Sequence, residues 1–327
     1  MKRFLLTGHV NHGKSTIGGQ ILYQCNAYDK REVQKIFEQA EQEKMYSFRW
    51  ARLLDINSEE RDKGVTMECN EIEFTYQNIK YKLIDTPGHK LYIRNLIDAI
   101  YRNSSDATAE KSNVVGVLVI SAIANELESA MTSGQIKEDI LLLRAIGIDS
   151  IIVAINKLDK VGWLSDAFES TKILISPMLK LAKYKQILFA ACSGLEGKGI
   201  IDCNPNFSHI PTLISSIEKL SINTSVSTVN SEQIKILETL TITANIFILN
   251  CNIFSPGYCG IIHMNNGEFS FTVDKITITG GKNKPFIKTG ERGIVVLTLN
   301  EKVSAKTKDR IVLRNGDETV GYGIIIE

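Results

Sequence analysis

The chain has 327 residues, about a quarter of them charged, and a formal net charge of +1. That length suits roughly two domains with a sizeable core, and the near-neutral balance argues against a globally basic coat for nucleic acid, so RNA contact would come from local surface or a partner. The six cysteines, Cys25, Cys69, Cys192, Cys203, Cys251 and Cys259, form no even framework, which fits reduced cytosolic thiols.

At the N-terminus, "MKRFLLTGHV" sets charge ahead of a short apolar run, but glycine follows at once with no cleavage-site region. It reads as a first strand rather than a signal peptide. No stretch approaches the roughly eighteen apolar residues of a membrane helix. A cytoplasmic protein with no membrane partner is expected.

Directly after "FLLT", residues 8–16 read "GHVNHGKST", a complete G-x-x-x-x-G-K-[ST] phosphate loop running from a strand into a helix that begins near Lys14. Its physics is direct. Gly8 and Gly13 let the backbone N–H groups of His9, Val10, Asn11 and His12 turn toward phosphates, and the helix start at Lys14, Ser15 and Thr16 adds positive potential. Lys14 is placed to reach the terminal phosphates, and Ser15 offers a hydroxyl to Mg²⁺.

Between Asp29 and Phe48, Val33, Ile36, Phe37 and Ala40 recur at helical spacing, which predicts an amphipathic helix on the sheet. The apolar runs "YKLID", "VVGVLVIS", "SIIVAIN" and "QILFAAC" then alternate with helix-length segments, the rhythm of an α/β doubly wound, mostly parallel sheet. Three short strings sit where these strands end. In "DTPG", Asp85 can hold a metal through water and Gly88 can present its N–H to a γ-phosphate. In "NKLD", which covers Asn156, Lys157 and Asp159, the Asp159 carboxylate can accept two hydrogen bonds from guanine's ring N–H and exocyclic amine. Adenine has no such donor pair, so ATP should be disfavoured by roughly 10⁴-fold or more. In "CSGL", backbone N–H groups of Ser193, Gly194 and Leu195 could meet the guanine carbonyl.

From about Lys219 the texture becomes polar, and "KLSINTSVSTVNSEQ" reads as a linker. Beyond it, "LTITANIFILNC", "YCGIIHMNN", "EFSFTVDKITITGG", "RGIVVLTLN" and "RIVLRNGDETVGYGIIIE" are β-branched runs between turn residues, which predicts a small antiparallel barrel. The expected boundaries are 1–218 for a GTP-binding domain, 219–238 for the linker and 239–327 for the barrel. Cys251, Cys259 and His263 fall on these strands without a paired Cys-x-x-Cys, so a structural role is favoured over a metal site.

Together these residues resemble the translational GTPases, in the branch of elongation factor 1A, the class II release factor and the ribosome-rescue GTPase. "GHVNHGKSTIGGQILY", "DINSEERDKGVTMECNEIEF", "DTPGHKLYIRN", "NKLD" and "CSGLEGKG" carry the resemblance over the first two hundred or so residues. "STIGGQI", "EERDKG" and "CSGL" look closer to the release and rescue members, and the last hairpin resembles that of the family's third domain. The resemblance implies GTP and GDP as ligands, Mg²⁺ held by Ser15, Thr66 and Asp85, and His89 positioning the attacking water behind a gate of Val10 and Val65. It implies a monomer, slow without stimulation, that works with the ribosome and a release- or rescue-type factor.

Three departures stand out. The family's middle barrel has no counterpart, which weakens a tRNA-delivery reading and leaves room for a GTP-dependent scaffold. Residues 100–113 look like an insertion after the second switch. Asn11 occupies the family's usual Asp position, where its oxygen could favour a K⁺ ion beside the phosphates.

Overall fold

The computed structural model describes residues 1–42, 49–54, 69–86, 114–222, 236–264, 267–277, 285–316 and 318–327. The chain forms two compact units, one built on a six-stranded sheet and the other on a closed barrel. The insertion read at 100–113 lies outside the described residues, as do Val65, Thr66, Gly88 and His89.

The sheet takes its strands in the order β2-β3-β1-β4-β5-β6. They are β1 (Lys2–Thr7), β2 (Asn70–Tyr76), β3 (Ile79–Asp85), β4 (Val114–Ser121), β5 (Ser150–Asn156) and β6 (Gln186–Ala191). All pairings are parallel except that of the edge strand β2 with β3. The sequence dictates this layering. Every residue of "VVGVLVIS" and "SIIVAIN" is buried, as strands covered on both faces require, whereas β2 alternates between exposed and buried positions. Phe74 of β2 seals the edge by stacking on Tyr81 at 5.2 Å between centroids and meeting Phe4 edge-on at 6.4 Å.

Four helices matter for the site or its frame: α1 (Lys14–Gln24), α2 (Lys30–Gln42), α3 (Ala124–Thr132) and α4 (Gln135–Ala145). The expected amphipathic helix is α2. Val33 and Ala40 are buried, and Ile36 and Phe37 pack with them against Trp50 and Leu53 of residues 49–54. That segment sits against α1 because Gly19 has no side chain: a Cβ there would fall 1.8 Å from the Trp50 carbonyl oxygen. Two further helices, α5 (Ser165–Ala182) and α6 (Leu213–Ile222), complete the described part of this unit.

The barrel closes in the order β10-β7-β12-β11-β8-β9, from β7 (Ile236–Ile248), β8 (Cys259–Met264), β9 (Gly267–Thr277), β10 (Arg292–Lys306), β11 (Arg310–Asn315) and β12 (Glu318–Ile325). Its interior is apolar, with Ile246, Phe271, Leu297 and Leu313 among the buried side chains. Two boundaries differ from the sequence reading. Strand β10 runs past Asn300 to Lys306, because a register shift between Thr298 and Val303 leaves Asn300, Glu301 and Lys302 exposed and then restores Val303 and Ala305 to the interior. Both ends of the span read as a linker are regular, since α6 continues through Ile222 and β7 starts at Ile236. His263 is buried on β8 with Nδ1 3.8 Å from Glu268, while the Cys251 thiol lies 3.3 Å from the Ile253 carbonyl and the Cys259 thiol 3.5 Å from that of Gly257.

Candidate nucleotide site

With β1, β3, β4, β5 and β6 parallel, their C-terminal ends share one edge of the sheet, and the strand order reverses direction between β1 and β4. Open α/β sheets bind ligands in the crevice at such a switch point. The loop 8–13 leaves β1 there and feeds α1, whose first turn holds Lys14, Ser15 and Thr16. Asp85 ends β3, Asn156 ends β5 with Lys157 and Asp159 just beyond, and Ser193, Gly194 and Leu195 follow β6. The fold therefore gathers the described nucleotide-site candidates, from Gly8 to Leu195 and so 187 positions apart at the extremes, onto one edge.

The phosphate loop is held by its neighbours. Gly8 has φ +138°, and a Cβ there would sit 2.3 Å from the Val119 carbonyl oxygen in β4. That carbonyl also lies 3.3 Å from Nδ1 of His12, and since a carbonyl only accepts, His12 carries its proton on Nδ1. Burial, with help from the charge of His9, holds the His12 imidazole down to about 4, so it stays neutral and acts as a brace. His9 bonds within the loop, Nδ1 to Val10 O at 2.9 Å. Asn11 is exposed with φ 64°, a left-handed conformation that Asn tolerates better than most residues.

The Lys14 ammonium is buried and donates to the carbonyls of Gly8 at 2.9 Å and His9 at 3.1 Å. Burial pushes it below the usual lysine range, against the opposing charges of Asp85 and Asp139. Asp85 is fully buried, and Thr86 ties the end of β3 back to β1 through a 2.7 Å bond to Leu6 O. The Asp85 carboxylate and the Ser15 hydroxyl are hard oxygen donors of the kind that suits Mg²⁺, and the Lys14 ammonium suits phosphate oxygens.

Asn156 joins the phosphate end to the other end of the site. Its Nδ2 donates to His12 O and its Oδ1 accepts the Gly194 N–H, both at 2.9 Å. The Ser193 N–H is spent on Lys198 O at 3.0 Å. The sequence reading gave the base carbonyl to all three N–H groups of this loop. Those of Ser193 and Gly194 are instead used internally, and that of Leu195 has no partner among the described residues. Asp159 lies half-buried on the 3-10 turn Leu158–Val161. Burial and its negative charge push the Cys192 thiol up to about 12, which sets the Asp159 carboxylate beside the loop that follows β6.

Three participants have no motif to announce them. Glu126, in the first turn of α3, receives the Lys157 ammonium on both carboxylate oxygens at 2.8 Å. Burial opposes its ionisation, yet Lys157 and Ser121 hold its carboxyl below the ordinary range. Trp50 reaches Leu195, and the Val119 carbonyl braces the loop. Each touches a site residue more than thirty positions away, and only the fold brings them together.

A profile of the elongation factor Tu GTP binding domain matches residues 1–242, and one of the elongation factor Tu C-terminal domain matches residues 235–327. The chain belongs to the elongation factor Tu family of GTP-binding proteins. Among its relatives, elongation factor 1-alpha of Staphylothermus marinus is 33% identical over 223 residues, 66% of this chain and 49% of that protein. The Entamoeba histolytica elongation factor 1-alpha is 30% identical over 222 residues. The chain thus spans about half the length of the curated relatives it matches. The fold is also that of the S. cerevisiae Ski7 GTPase-like domain bound to GTP, with TM-score 0.81 at 17% identity, covering 99% of this chain and 96% of that one. The two matched profiles overlap at 235–242, so no hundred-residue barrel fits between them.

Proposed function

We propose that the chain is a GTP-hydrolysing switch, Mg²⁺-dependent and cytoplasmic, that acts as a monomer to dock a release- or rescue-type factor on the ribosome. The observation that carries the nucleotide reading is the Asn156 bridge, because one side chain joins the phosphate loop to the loop that would meet the base. The unit of 1–218, continued by α6, then holds the nucleotide, the residues between α6 and β7 connect, and the barrel, read as 239–327 and begun by β7, engages the protein partner. The directly joined profiles support a release or rescue role over tRNA delivery, since the family barrel that helps hold an aminoacylated tRNA end has no room here.

In this reading Lys14, already in the mouth of the loop, neutralises charge on the terminal phosphates, and the loop N–H groups from His9 to Gly13 orient them. Ser15, Thr66 and Asp85 would hold Mg²⁺, which when bound supplies positive charge to the β- and γ-phosphate oxygens. Gly88 would donate to the γ-phosphate and His89 would aim the attacking water. Asp159 and Leu195 would take the guanine edge, with Ser193 and Gly194 shaping the loop. Turnover should be slow without a stimulating partner.

One assay tests this. With ribosomes and a candidate release-type factor, GTP hydrolysis should rise well above the level of the protein alone. His89→Ala should lower the stimulated rate by about 10²-fold while leaving GTP affinity nearly intact. With Asn11 offering its oxygen to a monovalent cation, the rate should be higher in K⁺ than in Na⁺. Hydrolysis indifferent to ribosomes and factor overturns the ribosomal role and favours the GTP-dependent scaffold, and equal rates in the two salts remove the cation.

A further inference from the structure

Trp50 belongs to no nucleotide motif, yet it is 6% exposed and makes contacts that converge on the site. Its indole Nε1–H donates to the Leu195 carbonyl at 3.3 Å, across 145 residues of sequence. Its ring is fixed on several sides: Tyr23 of α1 at 4.9 Å, Phe37 of α2 edge-on at 4.8 Å, and the Arg49 guanidinium 5.0 Å from its centre. Its own carbonyl oxygen rests in the space that Gly19 leaves on α1, the helix that carries Lys14. An indole held this way has little freedom left, so the group it bonds is held as well.

That group matters because of what the neighbouring amides do. In the loop after β6, Ser193 and Gly194 have spent their N–H groups on Lys198 and Asn156, which leaves the Leu195 N–H as the donor able to face a ligand. The loop is half-buried at Leu195 and exposed at Glu196; Gln24 Nε2 holds its far side at the Gly197 carbonyl at 2.8 Å and the Ser193 hydroxyl accepts the Glu196 N–H at 3.1 Å, which leaves Leu195 itself in need of an anchor. Trp50 is that anchor on the carbonyl side.

We propose that Trp50 is a positioning residue for guanine recognition, bonding the Leu195 carbonyl so that the loop after β6 presents its N–H to the 6-oxo group of the base. The inference rests on the nucleotide reading above. It also ties the loop after β6 to residues 49–54.

The test compares two ligands in Trp50→Phe, which keeps an aromatic ring and removes the donor. Competition titrations would give dissociation constants for GDP and for 2-aminopurine riboside diphosphate, which keeps the 2-amino group and lacks the 6-oxo group and, with it, the ring N–H. GDP affinity should fall about fivefold, the scale of one neutral hydrogen bond, and affinity for the 2-aminopurine nucleotide should stay within about twofold. Trp50→Tyr, whose hydroxyl cannot occupy the indole N–H position, should follow Trp50→Phe. Thermal unfolding of each variant without nucleotide shows whether the fold survives. Unchanged GDP affinity overturns the proposal, and so does an equal loss for both ligands, which would mean general loosening. A wild-type protein that binds no GDP would instead remove the reading on which the inference rests.

Discussion

Asp159→Asn should turn a guanine site into a xanthine site, with the GDP-to-XDP preference swinging by about 10³-fold. The carboxylate is acceptor-only and matches the two donors on guanine's edge. The amide puts a donor against guanine's 2-amino group, and that pair repels. Xanthine carries an oxygen at the same place, so the amide donates to it while its oxygen still accepts the ring N–H. The magnitude follows from closure: in a site whose polar groups have no other partner, a mismatched pair leaves both members unsatisfied. Asp159 is positioned for this by the 3-10 turn Leu158–Val161, which Lys157 enters at φ 63° while its ammonium is held by Glu126. Competition between GDP and XDP for a labelled nucleotide measures the swing, and a variant that keeps its GDP preference would mean that the base binds elsewhere.

Gly8→Ala should lower guanine-nucleotide affinity by at least about 10²-fold, from a single added methyl group. At φ +138° an L residue is strained to begin with, and the new Cβ would meet the Val119 carbonyl oxygen at 2.3 Å. Strand β4 cannot give way, because β1 pairs with it on one side, Thr7 opposite Leu118, and β5 on the other, Val119 opposite Ala154. The loop has to move instead. The Val119 carbonyl also braces His12, whose own carbonyl is bonded by Asn156, so the displacement would carry through to the link with the base loop. Calorimetric GDP titration with a thermal melt checks this. The melt should show a cost of about 1–3 kcal/mol, typical of forced overpacking, and an alanine variant that binds GDP like wild type would refute the clamp.

Much of the architecture was legible because the signals are local. Continuous apolar runs such as "VVGVLVIS" mark strands covered on both faces, and the stripe of Val33, Ile36, Phe37 and Ala40 marks α2. The phosphate loop, Asp85, Asn156 and Asp159 could be assigned to strand ends because each string directly follows such a run. Contacts between distant residues had no such signal. The Glu126 carboxylate, the Trp50 indole and the Val119 carbonyl act on residues 31, 145 and 107 positions away, and no periodicity encodes that pairing. Gly194 misled for a related reason. Its position implied an N–H free for the base, but Asn156 accepts it. The end of β10 was missed because three exposed polar residues at a bulge look like a turn until Val303 and Ala305 resume the alternation.

The claim under all of this is that the edge of the sheet is one connected, guanine-selective site. A calorimetric titration of the protein with GDP and with ADP, each with Mg²⁺, tests it most directly. The account predicts saturable one-to-one GDP binding at about 1 μM or tighter and ADP binding weaker by at least about 10³-fold. Equal affinity for the two nucleotides, or none for GDP, would contradict it.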